Sequence, residues 1–318
     1  MKKTRKDYKE NRNKKIYEEY INTDTSFNKL ANKYTLSPQR VRYLVNDYKK
    51  RGLGEELPLT ATRKDRERYK NLAVELRENN KLTQSVQMLN QVINWDRKHK
   101  EWKLLSESLS HISVSYTKIA GITHTKKKQT EYLKKGRDYL EEVLQLYKAG
   151  KITKGKAQIA KVHLVSNIIW TNELVGERKQ IKELKKALKL VNSALKDFPG
   201  SEAHKTWALN KKAQVLHRLG KSERAIEVLK ESEQKLYEGY FEEFEIARKK
   251  KDKEGADQST LKINVWLAGI HATMAVICHE TGRNIMARHY ANSILKIPDP
   301  EGMFGIKRRD MKKILEDL

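Results

Sequence analysis

The stretch SFNKLANKYTLSPQRVRYLVN, residues 26–46, decides how this chain is interpreted, because it predicts two short helices joined by a tight turn. Ser37 can cap the second helix, and Pro38 suits its first helical position. Apolar residues at helical spacing stand on both sides of the turn: Leu30, Ala31, Leu36, Val41, Leu44 and Val45. The pattern therefore predicts two amphipathic helices that cross through these residues.

The other side chains around the turn are polar and point away from that crossing. The residues quoted above resemble the helix-turn-helix family of DNA-binding proteins. The resemblance implies that the second helix lies in the major groove and that its outer residues contact base edges. The base-reading candidates are Ser37, Gln39, Arg42, Tyr43 and Asn46. The candidates for phosphate contacts are Lys29, Lys33, Arg40, Lys49, Lys50 and Arg51.

One residue of the turn departs from the family pattern. Thr35 stands where the family usually has glycine, the residue that adopts a left-handed conformation at least cost. A helix over roughly residues 6–21 precedes the motif and turns Ile16, Tyr17, Tyr20 and Ile21 toward it. The alternative interpretation is a three-helix protein-binding module with a solvated basic face.

Positive charge is concentrated at the N-terminus. The chain has 67 Lys and Arg against 41 Asp and Glu, a net charge of +26 over 318 residues. Residues 1–52 contain 15 basic and 6 acidic residues, a net +9, and the other 266 residues carry the remaining +17. This excess favours polyanions, above all nucleic acid. Lysine-rich composition in itself is the alternative explanation for the charge after residue 52.

From residue 65 onward a repeated helical pattern appears. In each copy a small residue is followed four, seven and eight positions later by apolar residues, except that the copy at Ala225 has Leu229 and then the poorer match Ser232. The small residues are Ser85, Gly136, Ala187, Ala225 and Ala287, and a second small residue stands twelve positions earlier at Ala73, Ala213 and Ala275. A small residue in mid-helix lets a neighbouring helix pack closely. The pattern therefore predicts stacked helical hairpins.

Residues 207–229, WALNKKAQVLHRLGKSERAIEVL, and residues 279–300, HETGRNIMARHYANSILKIPDP, resemble tetratricopeptide repeats. The small residues are 51, 51, 38 and 62 positions apart, whereas the standard repeat has 34 residues. Some helices or loops must therefore be longer than usual, and ARKKKDKEGADQS at 247–259 is expected to be a solvated loop. A generic stacked-helix domain is the alternative.

These patterns predict an all-α chain of four parts. A three-helix helix-turn-helix domain over residues 1–52 is followed by a linker over 53–64. A solenoid of about five tetratricopeptide-like hairpins covers 65–299, and a capping or dimerisation helix covers 300–318.

A solenoid of this kind has a concave groove that binds peptides or helices. The family spacing puts Asn210, Gln214 and His217 on that face, and a looser alignment adds Asn167, Trp170 and Asn172. Side-chain amides suit this role because they can hold the backbone of an extended peptide. Each residue also has an ordinary interpretation as a solvent-facing polar residue or, for Trp170, as a core aromatic.

Signals for export, catalysis or metal binding are weak. Cys278 stands alone, the basic opening segment has no apolar run behind it, and the mostly apolar stretch 265–278 is short for a membrane span. No HExxH, paired-cysteine or glycine-rich phosphate motif occurs. His279 projects away from His271 and Cys278, which disfavours a zinc site. We therefore expect a cytoplasmic protein that is not an enzyme and needs no cofactor.

The order of the parts resembles the peptide-pheromone receptors of Gram-positive bacteria and their phages, including the arbitrium type. This quorum-sensing resemblance implies a homodimeric transcription regulator that binds double-stranded DNA and responds to a short signalling peptide. The alternative is a repeat scaffold whose basic N-terminus binds RNA or a protein partner.

Overall fold

The structure, a computed structural model, describes residues 12–13, 15–17, 19–20, 26–51, 57–58, 60–174, 176–200, 202–299 and 304–318. All regular structure in these ranges is helical, and they contain no strand, so the all-α prediction is confirmed. The chain divides into two compact units, Met1–Lys100 and Glu101–Leu318. The predicted linker at 53–64 lies partly outside the described residues, and its boundaries stay predictions.

The opening stretch forms two helices, α1 (Phe27–Tyr34) and α2 (Pro38–Arg51). Ser26 caps α1, because its hydroxyl accepts a hydrogen bond from the backbone N–H three residues later. The Ser37 hydroxyl does the same for α2 at 3.2 Å. Each cap satisfies one of the backbone donors that a helix leaves free at its N-terminus. The start of both helices is therefore encoded by serine.

The turn between α1 and α2 places Thr35 in the left-handed region, with φ 53° and ψ 51°. The N–H of Leu36 then donates to the carbonyl oxygen of Ala31 at 2.9 Å, which closes the C-terminus of α1. A β-branched residue adopts this conformation at a cost of about 1–2 kcal/mol. The turn thus has a conformation that glycine would adopt more easily.

A small core holds this segment together. Its fully buried members are Ile16, Tyr17, Leu30, Ala31, Val41, Leu44 and Val45. Ile16 and Tyr17 belong to the helical residues that precede α1, as the sequence indicated, and Tyr20 packs partly buried against the same core. Ile21 lies outside the described residues. The core holds one face of α2, and the opposite face of this helix is exposed to solvent.

The remainder of the first unit is a pair of helices, α3 (Arg63–Glu78) and α4 (Leu82–Lys98), that pack against each other. The two are joined by a buried ion pair. The Nε and Nη2 atoms of Arg66 donate to the two carboxylate oxygens of Asp96, each at 2.8 Å, and both side chains are fully buried. Such a pair is specific in geometry because each oxygen meets one guanidinium N–H.

The second unit contains nine helices whose bounds lie in the described residues. They are α5 (Trp102–Gly121), α6 (Lys126–Lys148), α7 (Lys154–Asn172), α8 (Glu177–Leu195), α9 (Glu202–Arg218), α10 (Ser222–Lys249), α11 (Lys253–Glu280), α12 (Asn284–Lys296) and α13 (Gly305–Asp317). Each helix packs against the next one along the chain. In addition α5 contacts α7, α7 contacts α9, α9 contacts α11 and α11 contacts α13. The odd-numbered helices of this unit therefore form one continuous layer.

The small residues of the repeated pattern are buried in the second unit. Ala187, Ala225 and Ala287 are in α8, α10 and α12, and each is fully buried. At Gly136 in α6 an added Cβ would lie 3.2 Å from the backbone oxygen of Ser113 in α5. The helix axes are close enough there that a larger side chain would have to displace the neighbouring backbone.

The segment 247–259 is not a loop, and that prediction was wrong. α10 continues to Lys249, α11 begins at Lys253, and each helix is 28 residues long. A three-residue turn suffices because Lys251 adopts φ 54° and the Asp252 carboxylate caps α11 through the N–H of Gly255 at 2.8 Å. The long spacing between Ala225 and Ala287 is therefore taken up by helix and not by loop.

Of the helices that the structure describes, α11 is the one with the length and apolar composition of a membrane span. Its apolar residues Ile270, Met274 and Ile277 are almost completely buried in a core shared with α9, α10 and α12. Buried core helices have the same length and composition, so these two properties do not distinguish α11 from a core helix.

Replacing Thr35 by glycine should relieve the left-handed strain in the turn. We expect Thr35→Gly to stabilise the α1–α2 segment by about 1 kcal/mol, measured as slower hydrogen exchange at the Leu44 and Val45 amides. Asn80→Gly is the matched control, since Asn80 also has a left-handed backbone, φ 57°. Because asparagine tolerates this conformation better, the gain there should be smaller. A loss of protection in Thr35→Gly would contradict the observed turn.

Enlarging a small residue at a crossing should destabilise the second unit. We expect Ala187→Leu to cost about 1–3 kcal/mol in chemical denaturation, because the side chain has no free volume to enter. Lys186→Leu, at the exposed neighbouring position, should change stability by less than about 0.5 kcal/mol. Equal effects of the two substitutions would contradict a close crossing at Ala187.

Candidate nucleic-acid interface and ligand groove

The base-reading candidates are exposed on the outer face of α2. Gln39, Arg42, Tyr43 and Asn46 all lie in solvent, on the side of the helix opposite the buried residues. Tyr43 is 57% exposed although its side chain is large and aromatic, and it is not part of the core. Ser37 is exposed as well, although its hydroxyl is engaged in capping α2. The segment thus presents one uninterrupted polar row.

Two of the arginines near this row rest on aromatic rings. The guanidinium carbon of Arg42 lies 5.3 Å from the centroid of Phe27, and that of Arg40 lies 5.0 Å from the centroid of Tyr43. A guanidinium over a ring face is attracted to it and loses some of its freedom before it meets a partner. The contact also leaves its N–H groups free to donate.

An open depression lies between the starts of α1 and α2. It is lined by Ser26, Phe27, Asn28, Pro38, Gln39 and Arg42. The N-terminal ends of both helices border it, and neither helix has an acidic residue in its first turn. Helix N-termini attract anions because their N–H groups and dipoles point outward. The depression therefore suits a phosphate group.

The phosphate candidates differ in how free they are. Lys29 and Arg40 are exposed. Lys33 instead donates to both carboxylate oxygens of Glu19, at 2.8 and 2.9 Å, and Tyr34 donates to the same carboxylate at 2.9 Å. These hydrogen bonds, that of Lys33 first, hold the pKa of Glu19 below its ordinary value. The charge of Lys33 is thus partly compensated, and the side chains of Lys49, Lys50 and Arg51 lie outside the described residues.

Among the groove candidates, Asn167 lies in the interior. Its side-chain amide donates to the carbonyl oxygen of Leu133 in α6 at 2.8 Å, and its Oδ1 accepts from Arg137 at 3.3 Å. The amide therefore joins α7 to α6, and the structure does not place it on an open groove.

Trp170 and Asn172, near the end of α7, lie in different surroundings. Trp170 is 44% exposed, and its ring lies against Gly121 of α5. Asn172 is buried, and its Oδ1 finds no hydrogen-bond partner in the described part of the chain. Only Trp170 of the pair presents a surface that a ligand could reach directly.

Asn210 and Gln214 lie where α9 meets α11. Gln214 donates to the hydroxyl of Thr273 at 3.1 Å and accepts from the ammonium group of Lys211 at 3.1 Å. Asn210 is 9% exposed, and among the described residues its Oδ1 has no hydrogen-bond partner. The structure thus brings these two predicted residues together around a lysine that the sequence did not single out.

His217 lies one turn farther along α9 and is held on both sides. Its Nδ1 lies 2.9 Å from the hydroxyl of Ser222, and its Nε2 lies 2.7 Å from a carboxylate oxygen of Glu280. These contacts tie α9 to the start of α10 and the end of α11. A ligand that used His217 would have to displace one of them.

Lys211 is the residue that sequence reasoning missed. Its side chain is half-buried, and burial, followed by the nearby charges of Lys307 and Arg218, lowers the pKa of its ammonium group to about 8. Nothing in the sequence distinguishes it among 67 basic residues. Only the packing of the odd-numbered layer reveals it.

The residues considered for metal binding are engaged elsewhere. His271 lies 2.6 Å from the Ser293 hydroxyl and 3.1 Å from a Glu233 carboxylate oxygen. Cys278 is fully buried, and burial raises the pKa of its thiol. Within the described ranges, no group of three metal-ligating side chains occurs.

Compared with known proteins, the sequence matches no protein family and no curated protein. Functional inference for this chain therefore depends on its residues, their exposure and their contacts.

Because Asn167 and Asn210 have different surroundings, we expect alanine substitution to reduce the free energy of unfolding more at Asn167 than at Asn210. Asn167→Ala should cost about 1–3 kcal/mol in chemical denaturation, because it leaves the buried carbonyl of Leu133 without its donor. Asn210→Ala removes an acceptor that has no partner, so we expect a cost below about 1 kcal/mol. A larger cost at Asn210 than at Asn167 would contradict these environments.

Proposed function

We propose that this protein is a sequence-specific DNA-binding transcription regulator whose N-terminal residues form a helix-turn-helix domain. The observation that supports it best is the outer face of α2, where Gln39, Arg42, Tyr43 and Asn46 are exposed together while the opposite face forms a core. A left-handed residue at the turn and a serine cap on the second helix agree with the same interpretation.

In this proposal α2 enters the major groove. Gln39 can pair with adenine and Arg42 with guanine, each through two hydrogen bonds. Lys29, Arg40 and the paired helix N-termini contact phosphates and fix the register of α2 on the duplex. Phosphate contacts position the protein, and the two base contacts supply its sequence preference.

The helices of residues 65–299 would then form the regulatory part, a tetratricopeptide-like solenoid that dimerises and senses a ligand, with residues 300–318 as its capping or dimerisation helix. The contacts of each odd-numbered helix with the next one support this architecture, and α13 packs on α11 and α12 as a capping helix does. We propose a short peptide as the ligand. On this view the protein works in the cytoplasm, without enzymatic activity and without a cofactor.

A dimer of this kind would read two half-sites about one helical turn apart. The ligand changes DNA binding only if it has different affinities for the arrangements that fit and do not fit that spacing. Coupling of this type is reciprocal, so the operator would change the affinity for the ligand by the same factor.

The DNA proposal is tested by selecting bound fragments from a random pool and measuring affinities by gel shift. Gln39→Ala with Arg42→Ala should weaken the selected site about tenfold to a hundredfold per lost contact and leave non-specific binding nearly unchanged. Unchanged sequence preference in the double variant would refute α2 as the reader. Tight binding to RNA without a preferred DNA site would favour the scaffold alternative.

Lys29 and Lys33 provide a matched pair for the phosphate contacts. Both are exposed on α1, but the carboxylate of Glu19 partly compensates Lys33. Lys29→Ala should lower the slope of log affinity against log salt by about one, and Lys33→Ala should lower it by less. A larger effect at Lys33 would show that DNA displaces Glu19.

A further inference from the structure

The last turns of α10 extend past the helix that precedes it. α9 has 17 residues and α10 has 28, and the two pack against each other on either side of a short turn. Because both helices have the same rise per residue, α9 accompanies only the first part of α10. The last part lies alongside α11, where the Tyr240 hydroxyl is 3.5 Å from that of Thr260 and the Lys262 ammonium group is 3.9 Å from the Glu243 carboxylate.

The far side of α10 exposes aromatic side chains in this region. Tyr237 is 40% exposed and Phe241 is 62% exposed, and they are one helical turn apart on the same face. α10 also exposes Ile246, whereas no other helix in the described ranges exposes more than one large apolar side chain. Leu236 and Ala247, on the other face, are almost completely buried. The chain therefore leaves one apolar strip of α10 uncovered.

The exposed ring of Phe241 is held in place by its neighbours. The ring centroid of Tyr240 lies 5.9 Å from that of Phe241 and 5.6 Å from that of Phe244. Tyr240 itself packs partly buried against the core that α10 shares with α9, α11 and α12. A side chain that is already positioned loses little conformational freedom when a partner covers it. Aromatic residues of this kind are typical of the centres of protein–protein contacts.

The charges along this part of the chain are separated by sign. Residues 231–245, the acidic block, contain six acidic residues and one lysine, and residues 248–253, the basic block, contain five basic residues and one aspartate. Glu245 and Arg248 pair with each other where the two blocks meet. The exposed charges that form no ion pair with a described residue are Glu238, Glu242, Lys249, Lys250 and Lys251.

A helix with this order of charges is complementary to an antiparallel copy of itself. A twofold axis pairs each residue with a partner residue twice over, once in each direction. Glu238 and Lys249 are about three turns apart and therefore lie on the same side of α10. With the axis near Phe244, Glu238 of each copy lies opposite Lys249 of the other, and Phe241 lies near the centre. A parallel pair would instead bring like charges together.

We propose that α10 is a homodimer interface, in which it pairs antiparallel with α10 of a second copy of this chain about a twofold axis near Phe244. The aromatic strip forms the centre of the contact, and the two blocks of charge fix its direction and register. The interface rests on the dimer of the function proposed above and assigns it to α10, whereas the sequence suggested the C-terminal helix α13.

The apolar centre is tested by sedimentation of the full chain over a dilution series, which gives the dissociation constant of the dimer. Phe241→Glu should raise this constant at least about tenfold, because every dimer then places two carboxylates near its centre. Ile285→Glu is the matched control, since Ile285 in α12 is 88% exposed, and it should leave the constant unchanged.

The antiparallel register is tested by reversing charges. Glu238→Lys and Lys249→Glu should each raise the dissociation constant by about tenfold, because the twofold axis turns two attractive contacts into two repulsive ones. An equimolar mixture of the two variants should form a heterodimer about as tight as the original dimer, which also shows that both variants are folded. Lys189→Glu, at an exposed lysine of α8, should have no effect.

A monomeric chain, a dimer that survives Phe241→Glu, or a mixture that fails to restore association would each refute α10 as the interface. Gel shifts on the same preparations separate these outcomes from failure of the proposed function. DNA selectivity with a dimer that none of these variants weakens refutes the interface alone. The expected changes in association without DNA selectivity of the unmodified chain refute the regulator alone.

Discussion

The close approach of helix backbones is the constraint on which the larger unit depends. At Gly136 a bulkier side chain would meet the backbone of the neighbouring helix, and Ala187 is completely buried. Because the axes are close, each helix of the odd-numbered layer also reaches the next one of that layer. The odd-numbered helices therefore form a continuous layer.

The close approach of helices also matters in the N-terminal segment, although its core contains fewer residues. Ala31 is fully buried between α1 and α2, and the turn that follows holds Thr35 in a left-handed conformation. Two serine caps and a compact core outweigh the strain of one turn residue. The core therefore holds α2 in a defined orientation. The exposed residues of its outer face then lie together on one surface.

The buried positions that repeat along each helix could be predicted from the sequence. Features that depend on one contact with a particular neighbour, such as a helix cap or a hydrogen bond between helices, could not. Small residues at helical spacing indicated the crossings, because apolar burial repeats along each helix. The charged segment 247–259 has the composition of a solvated loop, but Asp252 caps a helix there. Asn167 has the spacing of a groove residue, but its amide donates to the carbonyl oxygen of Leu133, a contact between helices that no local pattern encodes. The proposed base-reading row is exposed as expected, and its role stays a prediction.

Lys211 and Asn210 keep polar atoms at the contact between α9 and α11. A chain that buries polar groups normally satisfies them, as it does with the carboxylate of Asp96 and the amide of Asn167. Around α9, by contrast, the Oδ1 of Asn210 has no hydrogen-bond partner and Lys211 has no acidic partner among the described residues. Both residues lie close to α11: the amide nitrogen of Asn210 is 3.3 Å from the position of a Cβ on Gly269, and Lys211 donates to Gln214, which in turn donates to Thr273. The contact between α9 and α11 therefore includes polar side chains and is not formed by apolar residues alone.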